Sequence, residues 1–220
     1  MSAKSAQASL LPVSRHALAP VLTGSLGNIE AYIAEINRLP MLTQERETEL
    51  AQRYHENNDL AAAQELVLSH LRLVASIARN YLGYGLPHAD LIQEGNIGLM
   101  KAVKRFDPKM GVRLVSYAIH WIKAEIHEYI LRNWRMVKVA TTKAQRKLFF
   151  NLRSHKSGNE SMTREQIRSL AEKLNVKDEE VSEMETRLSG HDIALETQHD
   201  DDDDNFAPIA YLSSEQTEPT

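Results

Sequence analysis

Apolar residues recur at helical spacing from Ile29 to Leu188, and no stretch shows the two-residue alternation of a half-buried strand. Ile29, Ile33 and Ile36 share one stripe, Asn28 stands where an N-cap belongs, and Pro40 limits the segment. A second helix fits Thr43 to Asn57, and a third, strongly apolar, runs from about Leu60 to Tyr81 and stops at the Gly83, Gly85, Pro87 cluster. Asp90 opens a helix that reaches Arg105 and ends in FDPKMG, where Pro108 and Gly111 break the pattern. The next helix covers about Leu114 to Asn133. Beyond it, Thr142 with Gln145 and Thr163 with Gln166 have capping-box spacing and mark helix starts. Two short amphipathic helices flank Asn175, with Asp178 placed to cap the second, in helix-turn-helix spacing. The predicted fold class is all-α.

Composition narrows the function. Of 220 residues 42% are apolar, enough for a helical core. The absence of Cys excludes a disulfide framework, a thiolate metal site and a Cys nucleophile. No apolar run approaches the roughly 20 residues that span a bilayer, and the N-terminus lacks a signal-peptide layout, so a cytoplasmic protein with no membrane partner is expected. A net charge of −4 hides a separation of sign. Arg132, Arg135, Lys138, Lys143, Arg146, Lys147, Arg153 and Lys156 lie in one segment without an acid, which favours nucleic acid. Past Asp178 the sign reverses, ending in Asp200 to Asp204, a run that would compete with DNA for the basic face.

The segment SYAIHWIKAEIHEYILRNW carries two apolar stripes. At 100° per residue Val115, Ile119, Ile122, Ile126 and Ile130 form a core stripe, and Tyr117 and Trp121 fall roughly opposite, near His120, Ala124 and Glu128. Large aromatics there either pack under another helix or offer a stacking platform for unpaired bases. The adjoining basic segment favours the platform. His120 and His127, seven apart, find no third metal ligand, and the Asp run lacks calcium-loop spacing, so neither metal nor cofactor is expected. No Gly-rich phosphate loop, nucleophile elbow or carboxylate pair supports catalysis, and the chain reads as a binding protein rather than an enzyme.

DLIQEGNIGLMKAVKRFDP, Asp90 to Pro108, resembles the helix with which sigma-70-type factors grip the polymerase clamp. SYAIHWIKAEIHEYILRNWRMVKVATTKAQ is similar to the family's promoter-melting and −10-reading helix, and QRKLFFNLR, Gln145 to Arg153, resembles a segment particular to the heat-shock subgroup. The resemblance covers about Gly27 to Leu212. It implies a heat-shock sigma factor that binds RNA polymerase core at the β′ clamp and reads the −10 non-template strand of promoter DNA. It also implies chaperone and protease partners. Asp90, Gln93, Glu94 and Asn96 match clamp-binding positions. Tyr117 matches the aromatic that stacks on the flipped −10 adenine, Trp121 one of the paired tryptophans at the upstream edge of the bubble, and Phe106 and Asp107 the pocket of that base. Arg135, Lys138 and Lys143 match contacts to the DNA backbone or −10 edge. Within the subgroup segment stand Gln145, Arg146, Lys147, Leu148, Phe149, Phe150, Asn151, Leu152 and Arg153.

Departures accompany the match. His120 replaces a second tryptophan, Val112 an aromatic, and Ala124 and His127 the polar readers of the −12 pair, as fits a different promoter class. The implied organisation is a flexible lead over 1–25, sigma domain two with its preceding helices over 26–135, and sigma domain three over 136–190. An acidic linker follows over 191–220, truncated before the −35-reading fourth domain. That missing domain leaves a second reading, a clamp-binding decoy that cannot initiate transcription.

Overall fold

In the computed structural model of the chain, residues 29–155, 161–190 and 192 are described. The expected lead, the Asn28 cap, the linker with Asp200 to Asp204, and the side chain of Arg153 lie outside the described residues. Among the described residues there are eight α-helices and no strand: α1 Ile29–Arg38, α2 Gln44–Asn57, α3 Leu60–Arg79, α4 His88–Arg105, α5 Leu114–Asn133, α6 Lys143–His155, α7 Arg164–Leu174 and α8 Asp178–Ser189. The fold is all-α. It divides into two compact units at Trp134 and Arg135.

In unit 1 local signals set most boundaries. Thr43 caps α2 by accepting the Arg46 N–H, and Asp59 caps α3 by accepting from Ala61 and Ala62. Asn58 closes α2 in the left-handed region at φ 50°, which Asn tolerates better than most side chains. Asp90 does not open its helix: α4 starts two residues earlier, behind Pro87. Pro fixes the extended entry there, and Asp90 falls in the first turn, where its charge suits the helix dipole.

The core of unit 1 lies between α3, α4 and α5, with α1 and α2 packed on α3. Leu66, Leu71, Val74, Leu91, Ile92, Leu99, Ile122 and Ile126 are buried in it. α3, at 20 residues, is long and apolar enough to cross a membrane, contrary to the expectation from the sequence, where Glu65, Arg72 and Arg79 interrupt the apolar run. Nine of its residues are buried, as in the core helix of a globular unit. α4 and α5 meet backbone to backbone: a Cβ added at Gly98 would stand 2.7 Å from the Trp121 carbonyl oxygen and 2.8 Å from the Ile122 Cα. Only glycine permits that approach.

The core stripe of α5 is rotated from the one drawn on the sequence. Leu114, Ala118, Ile122, Ile126 and Ile130 are fully buried, whereas Val115 and Ile119 are half-buried at its margin. The small Ala118 takes an inward position because α4 approaches so closely, a constraint that periodicity alone does not carry.

Unit 2 is smaller. Leu148, Phe149 and Leu152 of α6 pack with Leu170 and Ala171 of α7 and Val181 and Met184 of α8. Both expected capping boxes form. Thr142 accepts the Gln145 N–H while the Gln145 side chain accepts those of Thr141 and Thr142, and Thr163 pairs reciprocally with Gln166. Asp178 does not cap α8: it is the first helical residue, and the Glu180 carboxylate accepts the Lys177 N–H at 3.0 Å instead. Three acids in succession compete for that start, and the one three residues past the boundary reaches it.

Candidate nucleic-acid and core-binding surfaces

The first two turns of α5 carry an aromatic cluster. The turn Asp107–Gly111 leads into it: the Asp107 carboxylate accepts the Lys109 N–H at 2.9 Å, and Gly111 takes φ 70°. Phe106, buried at the end of α4, stands 5.9 Å from the Tyr117 ring, which meets Trp121 edge-on at 6.1 Å. The Arg105 guanidinium lies 4.6 Å over the Trp121 ring. Tyr117 and Trp121 are half-buried at the flank of the core stripe. Asp107 takes part through its backbone turn. His120 is exposed one turn along from Tyr117.

His127, near the outward side of α5, is held by Tyr81, whose phenol lies 2.8 Å from Nε2 with the rings edge to face. Burial lowers the imidazole pKa, assisted by the nearby Lys123 ammonium. No spacing rule predicts this pair, whose members lie 46 positions apart.

α4 presents a second surface. Asp90 is exposed and accepts the Tyr129 hydroxyl at 3.0 Å. Burial, followed by that hydrogen bond to the carboxylate, raises the Tyr129 pKa. Gln93 and Glu94 are half-buried. Asn96 faces inward more than the others: its amide donates to the Tyr32 hydroxyl of α1 and to Gln93, each at 3.3 Å. Desolvation raises the Tyr32 pKa, and the Asn96 bond opposes the shift. Ile97 and Met100, not singled out in the sequence, are exposed between these polar groups. Their i, i+3 spacing on a face otherwise polar was the available signal.

Where α2, α3 and α5 meet, a carboxylate is buried. Glu47, 3% exposed, accepts Arg113 Nη2 at 2.8 Å and the Leu114 N–H at 2.8 Å, with His70 Nε2 3.7 Å away. Burial pushes the Glu47 pKa up, but the Arg113 and Leu114 bonds outweigh it and hold the carboxyl below its ordinary 4.5. Sequence inspection passed over Glu47 because it sits among the polar residues of QERETEL.

In unit 2 the basic segment divides by role. Arg135 donates to the Arg187 carbonyl oxygen at 3.2 Å and Arg187 to that of Val139 at 3.1 Å, fastening the irregular start of the segment to the end of α8. Arg135 therefore serves the fold of unit 2. Lys138, Lys143, Arg146 and Lys147 are exposed, as are Met136 and Val137. Of the expected subgroup segment, Leu148, Phe149 and Leu152 face the core, Gln145 closes the helix start, Phe150 is half-buried, and Asn151 donates to the Lys147 carbonyl oxygen.

Residues 66–136 match the family described as Sigma-70 region 2, and residues 28–60 the one described as Sigma-70 factor, region 1.2. The RNA polymerase sigma factor RpoH of Caulobacter vibrioides (strain NA1000 / CB15N) is 51% identical over 174 residues, which span 77% of this chain and 59% of that relative. Residues 28–60 and 66–136 thus carry two regions of the sigma-70 family. The matched region 2 contains the aromatic cluster, the outward face of α4 and the Tyr81–His127 pair. Region 1.2 supplies Tyr32 and Glu47, the two residues that tie α1 and α2 to α4 and α5. The chain spans about three fifths of the length of the curated relative it matches.

Proposed function

We propose that this sigma-70-type chain binds RNA polymerase core through α4 and captures the non-template strand of the −10 element with the start of α5, directing initiation at heat-shock genes. The observation that carries the reading is the cluster of Phe106, Tyr117 and Trp121 with Arg105 over its edge: anchored π-faces beside a cation suit unpaired bases and their phosphates. Tyr117 stacks the captured base against the wall that Phe106 and the Asp107 turn provide, Trp121 holds the upstream edge, and His120 lies beside it. Arg135, Lys138 and Lys143 follow the DNA backbone, Arg135 within its tie to Arg187. On α4, Asp90, Gln93 and Glu94 provide the polar part of the clamp contact, Ile97 and Met100 its apolar part, and Asn96 supports them from behind. Unit 1 corresponds to sigma domain two and unit 2 to domain three. Within Gln145 to Arg153 the exposed Arg146 and Lys147 make the heat-shock subgroup's own contacts, while Leu148, Phe149 and Leu152 hold the helix on the core of unit 2; chaperones and proteases act on the chain as on others of its type. These roles are binding roles, carried out where transcription occurs, in the cytoplasm.

Energetics favours a subunit over a free DNA-binding protein. Opening about five base steps costs roughly 7 kcal/mol at about 1.4 per step. Two captured bases return about 2–6 kcal/mol, so melting needs the contacts of the core enzyme.

The test measures the affinity of the chain for core polymerase and that of the complex for a single-stranded −10 oligonucleotide. Tyr117→Ala should weaken strand capture about 5- to 150-fold, as one stacked base is worth about 1–3 kcal/mol, and leave core affinity unchanged. Glu94→Ala with Met100→Ala should do the reverse. Loss of both functions in either variant refutes the assignment.

A further inference from the structure

The reading helix α5 has no cap of its own. Arg113 occupies its N-cap position in extended conformation, φ −73° and ψ 143°, makes no capping bond with its side chain, and is followed by a first turn without an acid. A helix start leaves its first four N–H groups without partners inside the helix. Here the acceptor comes from α2, 67 positions earlier in the chain: one oxygen of Glu47 takes the Leu114 N–H and the other takes Arg113 Nη2. His70 backs the carboxylate and is itself fixed by its Nδ1 bond to the Leu66 carbonyl oxygen at 2.7 Å. Glu47 and His70 are the buried polar side chains among the described residues. A carboxylate drawn so far inside, at the positive end of a helix, acts on that helix.

Resting on the reading above, we propose that Glu47 is a positioning residue for strand capture, a helix cap supplied from another element that sets where the first turn of α5 begins. Tyr117 lies within reach of the cap: its own N–H and that of Ser116 both bond the Arg113 carbonyl oxygen, at 3.4 and 3.1 Å. Fraying of this turn moves Tyr117 away from Phe106. The outward face of α4, on another helix, keeps its geometry. Glu47 touches no base; it acts through the backbone of Arg113 and Leu114.

The full chain, bound to core polymerase, is tested with a fluorescent single-stranded −10 oligonucleotide. Glu47→Ala should lower strand affinity about tenfold, the size expected for a lost helix cap, with core affinity within about twofold of the parent. The decisive variant adds Arg113→Ser to Glu47→Ala. Serine at the N-cap supplies a local acceptor and removes the guanidinium left without its partner, so strand affinity should return to that of Arg113→Ser alone. A purely structural contribution of Glu47 to the core would not be restored in this way. Normal capture by Glu47→Ala, failure of the serine to rescue, or misfolding of both variants overturns the proposal. Should Tyr117→Ala leave capture by the parent chain intact, the functional reading itself fails and this inference with it.

Discussion

Unit 2 closes its helix starts with residues three apart, Thr142 with Gln145 and Thr163 with Gln166, whereas α5 of unit 1 takes its cap from Glu47, 67 positions away. The same contrast runs through the packing. Unit 1 joins α4 to α5 at Gly98 with no side chain between the backbones, while unit 2 gathers a few apolar residues around three short helices. A helix start closed by neighbouring residues carries its cap with it, although helices this short still need packing to persist; one closed from a distance is capped only when the rest of the unit has assembled. The surface on α5 thus inherits its geometry from α2 and α4.

The sharpest way to break the contrast is Gly98→Ala. Backbone atoms of α5 would have to retreat from the added methyl, and we expect unit 1 to lose about 3 kcal/mol in urea unfolding, toward the upper end of overpacking effects. Gly190→Ala in unit 2, where the new methyl meets nothing within 4 Å, should change stability by less than about 0.5 kcal/mol. Acidification probes the long-range ties next. Burial holds the His127 and His88 pKa values below their ordinary 6.5, so below pH 6.5 the unfolded chain binds more protons and stability falls. The depressed Glu47 carboxyl contributes stability above pH 4.5 that is lost as pH drops through its folded pKa. The melting temperature of unit 1 should therefore decline below pH 6.5 and again below pH 4.5, and His127→Gln should flatten the first decline. Thr163→Ala is expected to cost about 1 kcal/mol and to leave the unfolding of unit 1 unchanged when the two transitions are followed separately.

What was legible in the sequence follows the same division. Caps and breakers act over three or four residues, so the bounds of α2 and the capping boxes at Thr142 and Thr163 could be read directly, and the break at Pro108 and Gly111 marked where α5 follows. The candidate aromatics Tyr117 and Trp121 stood out because large rings off a core stripe are conspicuous, and the clamp-like motif on α4 was recognisable by its resemblance to a family. Hidden were features made by residues distant in sequence: the Glu47 cap, the Tyr81–His127 pair and the inward turn of Asn96 toward Tyr32. The rotated stripe of α5 was hidden for the same reason, since which residue faces inward depends on how near α4 comes. Asp178 shows the limit even of local rules, with Glu180 serving where two nearby acids had similar claims.

Without cysteine, oxidative chemistry on this chain falls to its methionines, and their placement is uneven. Met162 and Met184 are enclosed in unit 2, but Met100 stands on the outward face of α4, Met110 in the turn before α5 and Met136, 94% exposed, in the basic segment. Conversion of such a thioether to the sulfoxide replaces a soft apolar contact with a polar, chiral one, and enzymatic reduction restores it. Each surface to which binding has been assigned thus carries an oxidisable atom in solvent, so peroxide would reach the contacts of this protein before it reached the core.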